Sequence, residues 1–281
     1  MTEPEPPADF GASPEPPPQN GLDTWRLAVG TWTIVRVAPP RRIDRTTASG
    51  AMLLGPLLGA LIGVVAAAVA VIVRLAGPGR LTVALLAAVA IVTTSAIASR
   101  GLHLDGLADT VDAFASSKRD AAALDIMRKS DIGPFGVVAL VLVLAAQVVA
   151  YTSVITVPRG LVLVIVAMSV GRLCATVATR HGQQAARPDG LGATVVGSVP
   201  IGLATAVSVV VVGCSLLASL LLGIRGPFIV GLGIGLAIAL TVALTDRATK
   251  RFGGLTGDTL GACVEVGTTC VLVASALFLG R

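Results

Sequence analysis

Seven stretches of this chain are apolar for long enough to cross a bilayer's hydrocarbon, about 30 Å, as helices: residues 51–73, 81–99, 134–157, 161–178, 200–222, 226–245 and 260–280. The connections at 74–80, 158–160 and 223–226 are short and bear Gly or Arg, so neighbouring spans form antiparallel hairpins. The pattern predicts an all-α, polytopic integral membrane helical bundle of about seven transmembrane helices. The fourth span is the weakest because it carries Arg172, and the last is interrupted by Glu265. Composition agrees: 54% of residues are hydrophobic, 13% are charged and the mean hydropathy is +0.87, whereas about a quarter of a soluble domain is charged.

The distribution of charge fixes an orientation. With seven spans, one face receives Arg26, Arg36, Arg41, Arg42 and Arg45, then Arg100, Lys118, Arg119, Arg128 and Lys129, then Arg180 and Arg187, then Arg247, Lys250 and Arg251. The other face holds only Arg74, Arg80, Arg159, Arg225 and Arg281. Cytoplasmic loops are the ones enriched in Lys and Arg, so the N-terminus is expected inside and the motif-bearing loops in the cytoplasm. The net charge of +5 follows from this topology, and with aromatics at 3% no nucleic-acid partner is expected. The lipid bilayer is the expected large partner, its anionic inner surface facing the basic loops.

Residues 1–21 hold seven of the sixteen prolines and few large apolar side chains, which predicts a disordered cytoplasmic tail without the pattern of a signal peptide. Residues 22–281 are expected to form one membrane-embedded catalytic domain. Residues 25–37, with Trp25 and Trp32 beside Arg26 and Arg36, read either as an interfacial amphipathic segment or as a lead-in to the first span. Cys174, Cys214, Cys263 and Cys270 lie in apolar spans without metal-ligand spacing and read as packing residues.

Chemistry concentrates at residues 99–114, Ser-Arg-Gly-Leu-His-Leu-Asp-Gly-Leu-Ala-Asp-Thr-Val-Asp-Ala-Phe. On a helix, Asp109 and Asp112 fall about 40° ahead of and about 20° behind Asp105, so the three carboxylates share one face. Either this is a solvated acidic stripe or it holds a cation. An oxygen-only donor set suits a hard ion, with Mg²⁺ and its waters the natural candidate. The segment starts at the end of a span, and Gly101 and Gly106 give a ligand access to the backbone, which favours the cation.

Three other features share that face. Arg128 and Lys129 close the same loop ahead of Ile132-Gly133-Pro134-Phe135-Gly136 and are candidate phosphate binders, or simply a basic loop end. Arg172 either pairs with Glu265 or binds phosphate, and Arg180, His181 and Arg187 follow it before Gly190-Leu191-Gly192. In Gly253-Gly254-Leu255-Thr256-Gly257-Asp258, the glycines allow close helix packing or admit a substrate, and Asp258 shares a helix face with Glu265.

The motifs Gly-Leu-His-Leu-Asp-Gly-Leu-Ala-Asp-Thr-x-Asp at 101–112, Ile-Met-Arg at 126–128 with Ile-Gly-x-Phe-Gly at 132–136, and Gly-Gly-x-Thr-Gly-Asp-Thr-Leu-Gly-Ala at 253–262 resemble the cobalamin synthase family, the adenosylcobinamide-GDP ribazoletransferases. The likeness runs from about Trp25 to the end and includes Arg-x-x-Pro-Pro-Arg-Arg at 36–42. The chain departs from the family pattern at Gly55-Pro56, where many members have Phe-Pro, and at Lys129-Ser130-Asp131, where Asp-Ser-Arg is common. The resemblance implies a Mg²⁺-dependent enzyme of the bacterial cytoplasmic membrane, acting on the cytoplasmic side at a late step of cobalamin biosynthesis. A hydroxyl of α-ribazole, or of its 5′-phosphate, attacks the cobinamide-linked phosphate of adenosylcobinamide-GDP and expels GMP. It further implies Asp105, Asp109 and Asp112 as metal ligands, Asp258 as a fourth or as the group that orients the nucleophile, and His103 beside Asp105 and Asp109 as proton acceptor or as a capping, structural residue. Arg128, Arg172 and Arg180, with Gly254, Gly257 and Glu265, are the implied substrate and phosphate contacts. A homo-oligomer or association with other corrinoid-pathway enzymes is compatible with it.

Two alternatives stand on the residues. CDP-alcohol phosphotransferases also use clustered aspartates and a metal, although their spacing is longer. A small-solute or ion transporter would use Arg172 and Glu265 to line a pathway.

Overall fold

The computed structural model describes residues 21–77, 79–128 and 131–279, so Lys129 and all of the expected 1–21 tail but Gly21, which opens a helix, lie outside the described residues. The described chain is helical throughout, and among the described residues the extended contacts are two isolated bridges, Arg180 with Val199 and Ala185 with Leu255. Six helical stretches are long and apolar enough to cross a membrane. They are α2–α3 (Arg45–Leu53 and Gly55–Leu75), α4 (Leu81–Ala98), α7 (Pro134–Thr156), α10 (Ile201–Ser219, extended to Leu222), α11 (Gly226–Phe252) and α12 (Gly257–Phe278). The seventh expected span is the shorter α8 (Val162–Ala178), the one that carries Arg172. Four smaller helices gather at one end: α1 (Gly21–Trp32), α5 (Leu102–Ala115), α6 (Asp120–Met127) and α9 (Gly190–Val195).

Prolines open three of the spans at their first turn, Pro56 in α3, Pro134 in α7 and Pro227 in α11, where the missing N–H leaves no bond unmade. The short α8 is buried on every side and packs on α3 and α12, so it is the axis of the bundle. Small residues make that possible. Gly63 of α3 lies against the backbone of Ile165, and a Cβ there would stand 2.7 Å from its Cα. Gly171 of α8 fits under Thr268 of α12, and Gly267 of α12 under the sulfur of Cys174. Lipid offers helices no hydrophobic drive to associate, so close van der Waals approach and interhelical hydrogen bonds must supply it. The hydroxyl of Thr176 donates to the Met52 carbonyl at 2.7 Å and that of Ser169 to the Pro56 carbonyl at 3.0 Å, both across helices.

The outer spans point large apolar side chains outward: Leu61, Val65 and Ile72 on α3, Val141 and Leu142 on α7, and Val209, Val210 and Leu217 on α10. A soluble protein cannot present such a surface; a lipid-facing one must. Cys174 and Cys263 are buried among helices as expected, while Cys214 faces outward from α10. Residues 21–32 form a helix whose Trp32 indole donates to the Ala51 carbonyl at 2.9 Å, docking α1 on α2.

At one end the basic loops knit together. Arg45 donates to the Gly197 carbonyl, Arg187 to that of Leu124 and Arg251 to that of Ser116, while Arg128 pairs with Asp189. The four Lys/Arg-rich segments of the sequence therefore meet in one layer over the bundle.

Candidate active site

Two sequence motifs are joined by their glycines. Helix α5 starts from Gly101, which adopts a left-handed φ of 72° that lets the chain turn out of α4. It then lies along α12. A Cβ on Gly106 would stand 2.7 Å from the Asp258 carbonyl oxygen, and one on Gly261 would stand 3.1 Å from the Cα of His103. A side chain at Gly106 would force the helices apart, and one at Gly261 would crowd them. This contact sets Asp105 and Asp109 beside Asp258, at the first turn of α12, which Thr256 caps through a reciprocal bond with Thr259. The Thr256 hydroxyl also donates to the Asp258 carboxylate at 3.2 Å.

The three aspartates of α5 lie on one helix as predicted, yet their surroundings differ. Asp105 is exposed, Asp109 half-buried and Asp112 buried. Asp112 caps another helix: its two carboxylate oxygens accept the backbone N–H of Gly133 at 2.8 Å and of Gly136 at 2.9 Å, at the start of α7. A Cβ on either glycine would collide with that carboxylate, which explains the spacing Ile-Gly-x-Phe-Gly. Asp109 has no such partner. Burial, then the negative charges of Asp105, Asp258 and Asp112, push its carboxyl up to about 7, against a smaller opposing pull from Arg187. Acids assembled this way repel one another until a cation joins them.

A hard divalent ion fits that donor set, since the donors are carboxylate oxygens and their mutual repulsion is what such an ion relieves. Among the described residues no three His, Cys, Asp or Glu side chains converge on a point, so the arrangement suits an ion that retains water and takes substrate oxygens.

Beside these acids opens a cavity of about 270 Å³ between α1, α5, α12 and residues 187–195. Its apolar wall is made by Trp32, Met52, Leu191, Leu260 and Val264, and its polar side by His103, Arg187, Asp189, Thr256 and Asp258. Further along α5 a second hollow of about 300 Å³ carries Asp109, Asp112, Lys118 and Asp131. His103 is buried, its ring centroid 5.7 Å from that of Trp32, and its Nδ1 has no hydrogen-bond partner. Burial, then the charge of Arg172, hold its imidazole well below the usual histidine range. It stays neutral, the state a proton acceptor needs.

The remaining expected contacts are distributed. Gly257 lines the cavity, whereas Gly254 packs against the backbone of 184–186. Arg128 is spent on Asp189 at the surface, and Arg180 donates to the Val177 carbonyl of its own helix end and lines neither hollow. Arg172 and Glu265 lie deep between helices: Arg172 donates to the Met168 carbonyl at 3.2 Å, and Glu265 accepts from Gln147 at 2.8 Å. The cation whose charge reaches both Asp109 and Asp258 is Arg187, and it is brought there by the Gly190-Leu191-Gly192 turn, since a Cβ on Gly192 would stand 2.9 Å from the Gly257 nitrogen. In the sequence its only signal was its place just ahead of that glycine pair.

Fold and site together define a polytopic membrane protein with an acidic, cavity-bearing centre at the basic end of its bundle. The chain belongs to the cobalamin-5-phosphate synthase family, whose model matches residues 24–276. It is 40% identical over 254 residues to the adenosylcobinamide-GDP ribazoletransferase of a Nocardioides species, covering 90% of this chain and 98% of that protein. A protein of the same name from Frankia casuarinae is 37% identical over 265 residues, covering 90% and 94%, and one from Citrobacter koseri is 36% identical over 193 residues, covering 67% and 74%. No solved structure matches the chain. Family membership displaces both the CDP-alcohol phosphotransferase and the transporter readings.

Proposed function

We propose that this chain is a Mg²⁺-dependent adenosylcobinamide-GDP ribazoletransferase whose active site lies on the cytoplasmic side of the membrane. The supporting observation is the glycine-mediated contact of α5 with α12, which gathers Asp105, Asp109 and Asp258 beside a cavity that holds a neutral histidine. Asp105, Asp109 and Asp258 would hold the ion through waters it retains, while Asp112 fixes α7 against α5 and keeps the acids in place. When bound, the ion neutralises charge on the diphosphate and on the departing GMP.

The protein's own groups do the rest. His103 takes the proton from the attacking ribazole hydroxyl, whose oxygen forms a bond to the cobinamide-linked phosphorus as the phosphoanhydride bond to GMP breaks. Arg187 supplies positive charge beside Asp258 for the phosphate oxygens. The cytoplasmic placement follows from the Lys/Arg-rich loops that converge on this end.

The test is GMP release by detergent-purified protein given adenosylcobinamide-GDP and α-ribazole, with and without Mg²⁺. Metal-dependent GMP with a cobalamin product is expected. Folded protein that releases no GMP from this pair of substrates would overturn the assignment.

A further inference from the structure

A groove opens on the lipid-facing side of the bundle, at its basic end, where α1 and residues 33–37 meet α3 and α4. We propose that it binds one acyl chain of an anionic phospholipid, whose headgroup is held by Arg36, Arg100 and Arg26. The site is separate from the acidic centre and stands whatever reaction that centre performs.

The lining offers apolar surface. The groove measures about 380 Å³ and is bordered by Trp25, Ile34, Val35, Leu61 and Val65, each 42–57% exposed. Leu58, Leu61, Ile62 and Val65 follow one face of α3 at steps of three and four residues, so the groove runs about 10 Å along that helix. Thr94 and Ala98 of α4 add small side chains to it. The two hydroxyls in the lining are satisfied within their own segments: Thr33 donates to the Val29 carbonyl at 2.8 Å and Thr94 to that of Ala90 at 2.7 Å. Neither asks for a polar occupant.

Charge selects the lipid. Arg36 stands between Val35 and Val37, both of the lining, is exposed, and makes no hydrogen bond or ion pair among the described residues. Arg100 follows Ala98 by two residues, is exposed, and donates to the Gly30 carbonyl of α1 at 2.7 Å. Arg26 lines a smaller hollow of about 210 Å³ that shares Val37 with the groove. The acid of α1, Asp23, is buried and already accepts from the Arg41 backbone N–H at 3.0 Å and from Arg26. An acyl chain gains no hydrophobic energy by moving from bulk lipid into a groove, so close packing and the headgroup must hold it. A phosphate with no cation of its own is the headgroup that these arginines favour. The same helix, α1, borders the cavity beside the acidic centre through Thr31, so a lipid seated here braces that wall from the membrane side.

Contact quenching by brominated lipid tests the assignment. Trp25 is in the lining, whereas the chain's other tryptophan, Trp32, is buried and bonded to the Ala51 carbonyl. The full chain is placed in vesicles of phosphatidylcholine and phosphatidylglycerol mixed in varying proportion, with one or the other lipid brominated. Phosphatidylglycerol is expected to occupy the site about tenfold or more in preference to phosphatidylcholine, and the preference should fall to within about twofold in the Arg36→Gln/Arg100→Gln variant. Ala98→Phe, which fills the groove and leaves every arginine in place, should abolish it as well. Equal quenching by the two lipids in the native chain overturns the proposal, because the site then reads no charge. A preference that survives Ala98→Phe also overturns it, since that is the general attraction of a basic surface. Absence of quenching by either lipid means that protein, such as a second copy of this chain, covers Trp25, and it refutes the lipid site too.

Discussion

Charged groups occur in two very different settings here, the acidic centre where α5 meets α12 and the Arg172–Glu265 pair deep among α7, α8 and α12. The deep pair is embedded. Glu265 accepts from Gln147, Arg172 donates to Met168, and the two lie in each other's field without forming an ion pair among the described residues. The acidic centre is open instead: Asp105 and Asp109 likewise make no ion pair among the described residues, but they stand beside open hollows. Opposite charges buried near one another between helices offset each other's burial, whereas like charges gathered beside a cavity suit a ligand of the other sign.

Substitution separates the two settings. The largest effect is expected for Asp109→Asn, a fall in kcat of ~10³-fold or more with thermal stability kept or raised, because a transition-state charge contact is lost while a repulsive carboxylate is removed. Activity near normal in that variant would place the ion elsewhere. Arg172→Met should do the reverse. It leaves Glu265 buried without its compensating charge, costing roughly 3 kcal/mol or more, read as a lower melting temperature in detergent with kcat per folded molecule within about fivefold.

Between these lies Gly106→Ala, whose Cβ must push α5 from the Asp258 backbone. A loss of about 10–100-fold in kcat is expected from a displacement of that order, with KM for Mg²⁺ raised in parallel. An unchanged KM for Mg²⁺ would show that the α5–α12 contact does not set the ion's ligands.

The smallest effect concerns pH. The Asp109 carboxyl titrates near 7 in the folded protein and near 3.8 when unfolded, so the folded state binds the extra proton between those values. Metal-free protein should therefore lose stability as pH rises from about 4 to about 7, and Mg²⁺ should restore it above 7. Melting curves across that range check the sign, and Asp109→Asn should flatten the slope.

Much of this molecule is written locally. Apolar runs gave most ends of the spans to within about three residues, and the run that carries Arg172 is the shortest of these helices. The acidic stripe of α5 was legible because helical periodicity connects residues four and seven apart. The division of labour within that stripe was not. Asp112 is drawn away by Gly133 and Gly136, and Arg128 by Asp189, through contacts between separate helices. Arg187 carries no local mark that sets it apart from the other arginines of the basic loops, because its importance depends on which turn it faces.

By itself the sequence determined the all-helical membrane bundle, the clustering of basic loops at one end and the family, since length, hydropathy and motif spacing are properties of contiguous residues. Only the tertiary structure decided which acids stand together and which cation faces them. Those distances are set where Gly106 meets Asp258 and Gly192 meets Gly257, places where the absence of a side chain lets remote segments touch, and a missing atom reveals its partner only once the helices are packed.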